Sequence, residues 1–141
     1  MKLWKSIFVF SFLFLSACNN STETIADLEY EEFRDKVNSE EFTGFAYLLS
    51  DWEAEEEGYI TVIEDVFDRE NETLTFTNIQ TADNETYEIM NKDTSNPEVY
   101  LPSDRITFVK DGRVLSEFDI NSQIFSKENN SELRQFIQNH Q

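Results

Sequence analysis

The chain has 141 residues, with 29 acidic against 11 basic side chains and a net charge of −18 at neutral pH. That balance excludes nucleic-acid binding, which needs clustered Lys and Arg against the phosphates, and a lone cysteine excludes an intramolecular disulfide framework. The 13 Phe, 5 Tyr and 2 Trp argue against disorder and suffice for one small domain with a core.

Lys2 and Lys5 precede a stretch over residues 6–17 that is almost wholly apolar or small. It is about half the roughly 20 residues that a membrane-crossing helix needs. A basic start, a short apolar run and small residues before a break read as a secretory signal. The run closes on Leu15-Ser16-Ala17-Cys18, which resembles the lipobox of bacterial lipoproteins. The resemblance implies cleavage between Ala17 and Cys18 and a diacylglycerol thioether on Cys18, joined in the fuller modification by an N-acyl chain. It also implies attachment at the extracytoplasmic face of the cell membrane. Two or three acyl chains anchor stably, at about 0.8 kcal/mol per buried methylene, where one does not. A plain secreted protein with a chance cysteine is the alternative. Cleavage removes two lysines and no acid, so anionic headgroups repel the remainder and membrane contact rests on the lipid.

Residues 18–24 then form the lipidated cysteine and a polar tether, and residues 25–141 form the domain. Thr24 is placed to cap a helix reaching about Asn38, with Ile25, Leu28, Phe33 and Val37 on one face. The nearly continuous apolar run at residues 43–49 suits a central strand covered on both sides. An acidic segment from Asp51 to Glu57 opens a helix carrying Tyr59, Ile60, Ile63, Val66 and Phe67, its carboxylates complementing the helix dipole. Residues 73–77 read as a strand and residues 84–92 as a short helix with Tyr87 and Met90 inward. Asn96-Pro97 and Leu101-Pro102 mark an irregular crossing. Residues 106–109 and 114–118 pair as a hairpin through Lys110-Asp111-Gly112-Arg113, where Asp-Gly accepts positive φ. A last helix occupies residues 130–139. The fold class is α/β: a mixed central sheet with helices on both faces, a C-terminal hairpin and a closing helix.

This order resembles the thioredoxin fold. Phe45-Ala46-Tyr47-Leu48-Leu49-Ser50-Asp51-Trp52 is similar to the family's strand that ends in a tryptophan before the redox motif, and Phe108 to Val114 resembles its last hairpin. In that alignment C-x-x-C falls on Glu53-Ala54-Glu55-Glu56, so Glu53 and Glu56 stand where the cysteines would be. Pro102 is the candidate for the family's cis-proline, two residues out of the usual register. The resemblance therefore implies the fold without its thiol–disulfide chemistry, which needs sulfur at that helix start.

Candidate sites are correspondingly few. Trp52, Leu101 and Pro102 mark the groove where the family holds an extended polypeptide; Trp52 is also readable as a half-buried structural residue. Asp51, Glu53 and Glu56 are weak candidates for a divalent cation, lacking EF-hand spacing; a solvated helix start explains them too. A carboxylate pair for glycoside hydrolysis carries little weight in so acidic a chain. Ser50 and Ser103 have no histidine near in sequence, and His140 falls in what reads as a frayed tail, which argues against a Ser-His-Asp arrangement. The expectation is a non-enzymatic envelope lipoprotein without a resident metal or organic cofactor. It binds an envelope protein or cell-wall component, with a peptidoglycan-associated structural role as the alternative and a cell-wall hydrolase as a more distant one.

Overall fold

The computed structural model describes residues 23–141. The signal segment 1–17, the Ala17–Cys18 cleavage point, Cys18 and most of the tether lie outside the described residues.

Five strands form one mixed sheet. In chain order they are β1 (Ile25–Asp27), β2 (Gly44–Leu49), β3 (Leu74–Asn78), β4 (Arg105–Lys110) and β5 (Arg113–Asp119). The spatial order is β1-β3-β2-β4-β5. β1, β3 and β2 run parallel, β4 is antiparallel to β2, and β5 is antiparallel to β4. Five helices accompany them: α1 (Tyr30–Val37), α2 (Trp52–Glu56), α3 (Tyr59–Glu70), α4 (Asn84–Asp93) and α5 (Lys127–Gln138). Among the described residues no helix is long and apolar enough to cross a membrane.

The run at β2 is apolar throughout because both its faces are covered. Successive side chains of a strand point to opposite faces. Phe45, Tyr47 and Leu49 therefore join Ile63, Val66 and Phe67 of α3 and Leu133 and Ile137 of α5 in one core. Ala46 and Leu48 join Tyr30, Phe33 and Val37 of α1 in the other. α4 closes this second layer only in part: it contributes Tyr87, Ile89 and Met90 as half-buried contacts and no fully buried residue.

Two local expectations need correction. The first helix does not begin at Thr24: Ile25–Asp27 is the edge strand β1, in register with Leu74–Phe76. The Thr24 carbonyl accepts from the Leu74 amide at 2.8 Å, and the Leu28 amide donates to the Phe76 carbonyl at 2.9 Å. A three-residue strand leaves too few residues to show an alternating pattern, and its helical-looking spacing gives way to pairing with a distant strand. Second, the helix after β2 is two helices. Gly58 sits at φ +71° between them, in the left-handed region that breaks a right-handed helix.

The hairpin forms as its turn chemistry requires. Asp111 and Gly112 both have positive φ, 50° and 67°, the pattern of a two-residue turn that matches strand twist. The turn is also docked, since the Gly112 amide donates to the Phe42 carbonyl at 3.0 Å and the Asp111 amide to Thr43 Oγ1 at 3.0 Å.

Candidate functional site

The C-terminal end of β2 brings the sequence-derived candidates together. The chain leaves β2 through Ser50 and enters α2 at Asp51, whose side chain caps the helix by accepting from the Glu53 amide at 2.9 Å. Ala54 is the buried residue of this short helix. Glu53 and Glu56 face solvent. Glu55 is tied down instead, accepting from Asn78 Nδ2 at 2.7 Å. Trp52 is 62 % exposed, so it is not the half-buried structural residue that was one reading of it. An indole so exposed gains little from the fold, and a partner able to cover it would gain much.

The segment before β4 packs beside this corner. Among the described residues no peptide bond is cis, so Leu101–Pro102 is trans. Pro102 is buried and Leu101 half-buried, and the Pro102 carbonyl accepts from the Leu48 amide at 3.0 Å. Ser103 bridges Leu48 in parallel fashion, and the Asp104 amide donates to the Leu48 carbonyl at 2.9 Å. These bonds occupy Pro102's own carbonyl, leaving Trp52 as the exposed member of the candidate groove.

Asp104 is the residue that sequence reasoning missed. Its carboxylate accepts from the Ser50 amide at 2.9 Å, the Ser50 hydroxyl at 2.6 Å and the Asp51 amide at 3.0 Å. It does so from φ +54°, a conformation that Asp tolerates better than most residues. Gln80 adds a bond from its side-chain amide to the Ser50 carbonyl. The one available signal was Pro-Ser-Asp ahead of a strand, a turn-forming composition that says nothing about partners.

Beneath this corner lies Tyr47, fully buried, with the one buried side-chain polar atom among the described residues that has no hydrogen-bond partner. Burial, followed by the charges of Asp104 and Asp51, pushes its phenol above the ordinary tyrosine range, so it remains a neutral hydroxyl. Among the described residues no group of three or more His, Cys, Asp or Glu side chains is arranged to hold a metal ion.

His140 is not frayed. Its Nδ1 donates to the Phe136 carbonyl at 2.7 Å, so in the neutral ring Nε2 accepts from the Ser116 hydroxyl, also at 2.7 Å. The imidazole packs among Phe45, Phe108 and Phe136, with ring centroids 6.3, 4.5 and 5.0 Å away. The ring pins the end of α5 to β5. The histidine therefore pairs with Ser116 rather than with Ser50 or Ser103, whose corner belongs to Asp104.

No protein-family model matches the chain, and no curated protein sequence matches it.

Proposed function

We propose that this protein is a membrane-anchored envelope lipoprotein whose folded part is a redox-inactive thioredoxin-like domain that binds an envelope protein or a cell-wall component. Support for the domain assignment comes from the strand order β1-β3-β2-β4-β5 with its two parallel and two antiparallel pairings. A helix starting at Trp52 directly after the central strand, and a closing helix after the hairpin, agree with it. Support for the anchor comes from Leu15-Ser16-Ala17-Cys18 behind an apolar run.

The observation that carries the binding role is Trp52, 62 % exposed at the first turn of α2. Glu53 and Glu56 beside it replace chemistry with charge, so the reading assigns the domain no thiol–disulfide turnover. Cys18→Ala is expected to move the protein from the membrane to the soluble or precursor fraction; unchanged fractionation would remove the anchor. Crosslinking of the wild type in intact cells is expected to yield partners that Trp52→Ala loses. Co-sedimentation with purified sacculi, if it persists in Trp52→Ala, would assign binding to another surface.

A further inference from the structure

Two exposed aromatic rings lie at one end of the sheet. β2 and β5 point the same way, because each is antiparallel to β4. Trp52 stands three residues beyond the end of β2, and Phe125 closes a 3-10 turn at Ser122–Phe125 that follows β5. Asp104 joins the two exits. Its carboxylate accepts from the Ser50 and Asp51 amides at 2.9 and 3.0 Å, and its carbonyl accepts from the Ile120 amide at 3.1 Å. Tyr59, which opens α3 just after α2, is buried and meets the Phe125 ring edge-on with centroids 5.2 Å apart. Trp52 is 62 % exposed and Phe125 50 %. The fold leaves both rings largely in water, so a partner that covers them gains burial that folding does not take.

The chain enters the domain at the opposite end. β1 runs parallel to β3 and β2, with Ile25 level with Leu74 and Leu74 level with Phe45, so Glu23 and Thr24 lie where these strands begin. Five positions separate Cys18 from Glu23, a reach of at most about 18 Å at roughly 3.5 Å per residue. The six residues of β2 carry the sheet about 20 Å further. So acidic a chain is also pushed away from anionic headgroups. With Cys18 as the anchor, the end bearing Glu23 is held near the bilayer, and the end bearing Trp52 and Phe125 points into the aqueous envelope.

Charge narrows the partner. Asp51, Glu53, Glu56, Glu57 and Asp119 are exposed along the two exits, and no Lys or Arg occurs from Val37 to Asp68 or from Val114 to Ser126. Lys127 is the first cation after Phe125. Resting on the Cys18 anchor and the Trp52 surface argued above, we propose that Trp52 and Phe125 form one membrane-distal docking surface. Its occupant is a segment of an envelope protein that carries an apolar anchor flanked by Lys or Arg. The anchor covers the two rings, and the flanking cations meet the carboxylates of α2 and Asp119. An acidic segment would be repelled there, and lipid lies beyond the other end of the sheet.

Fluorescence anisotropy of the labelled peptide Lys-Ser-Leu-Phe-Leu-Ser-Lys, titrated with the purified full chain at about 0.15 M salt so that long-range attraction is screened, tests the surface. Saturable binding is expected, and the same peptide with Glu in place of Lys is expected to give none. Trp52→Ala is expected to weaken binding about tenfold or more and Phe125→Ala about fivefold. Val114→Ala/Leu115→Ala removes exposed apolar groups at the start of β5, the other end of the sheet, and is expected to leave binding unchanged. Loss in Trp52→Ala without loss in Phe125→Ala overturns the joint surface while the Trp52 reading stands. Absence of binding, equal binding of the Glu peptide, or an equal loss in the β5 pair also overturns it. In vesicles holding the mature chain, which lacks Trp4, the Trp52 emission is expected to be quenched by aqueous acrylamide and not by brominated acyl chains. Quenching by the brominated lipid overturns the membrane-distal placement, whereas fractionation of Cys18→Ala tests the anchor separately.

Discussion

The Asp104 carboxylate takes both hydrogen-bond donors of Ser50, the amide at 2.9 Å and the hydroxyl at 2.6 Å, and so joins the entry to β4 to the exit of β2. This contact spans 54 residues of sequence and fixes the direction in which the chain enters α2. It also positions Trp52, because the third bond from the same carboxylate goes to the Asp51 amide one residue earlier.

Asp104→Ala is expected to cost about 2 kcal/mol, combining lost hydrogen bonds to a charged acceptor with an alanine held at positive φ. Asp104→Asn keeps one oxygen acceptor and the tolerance for that conformation, so its loss is expected to be less than half as large. Urea denaturation of both variants checks this; equal effects would mean that the carboxylate contributes nothing beyond its backbone conformation.

Gly112 and Gly58 separate steric clash from strain. Both have positive φ, but a Cβ at Gly112 would lie 2.7 Å from Glu40 Cα and 2.8 Å from the Ser39 carbonyl oxygen, whereas at Gly58 it would meet nothing closer than 4.0 Å. Gly58→Ala is expected to cost about 1 kcal/mol, the strain of a left-handed alanine alone. Gly112→Ala is expected to cost about 3 kcal/mol, because backbone atoms of the α1–β2 loop must also move. Thermal melts that gave the two variants the same midpoint would contradict the docking of the hairpin on that loop.

Tyr47→Phe is expected to leave stability unchanged or raise it by up to about 1 kcal/mol. A fully buried hydroxyl without a partner costs desolvation and returns no hydrogen bond. A destabilisation above about 1 kcal/mol, measured by denaturant unfolding, would show that the hydroxyl holds a bond in solution.

Acid stability is expected to depend on Glu70. Its two carboxylate oxygens accept from Arg134 Nε at 2.7 Å and Gln138 Nε2 at 2.8 Å, tying the end of α3 to α5. The hydrogen bond from Arg134 and then that from Gln138 hold its carboxyl below the ordinary glutamate range. A lowered native-state pKa means that the unfolded chain binds the proton first. The contribution is therefore complete above the unfolded-state value and is lost as pH falls through the native one. Between about pH 6 and pH 3 the wild type should lose more stability than Glu70→Gln, which cannot titrate there. Parallel pH dependences would exclude the contribution.

Much of the sheet and helix order was legible because it rests on local signals. The unbroken apolar run at β2 announces burial on two faces, Asp111-Gly112 announces a turn of positive φ, and the spacing of Leu133, Phe136 and Ile137 announces the inner face of α5. These signals persist because neighbours within a few residues determine them. β1 was not legible: three residues are too few to show a period, and its pairing partner is β3, about 50 residues away. The candidate groove was half legible. Trp52 could be singled out by type, but its exposure depends on what packs around α2.

What the sequence by itself determined was therefore the acidity, the single cysteine behind its apolar run, the carboxylate-rich segment after the central strand, and the alternation of elements that makes a mixed sheet. Composition, spacing and turn chemistry act along the chain and can be read there. Only the tertiary structure decided that Asp104 closes the β2 corner, that His140 pairs with Ser116, and that Tyr47 carries an unpartnered hydroxyl. Each of these depends on which residues distant in sequence the packed sheet makes neighbours. Hydrogen bonds and charge interactions depend on distances of a few ångströms, and the linear order of a chain does not specify those distances until the strands have found their partners.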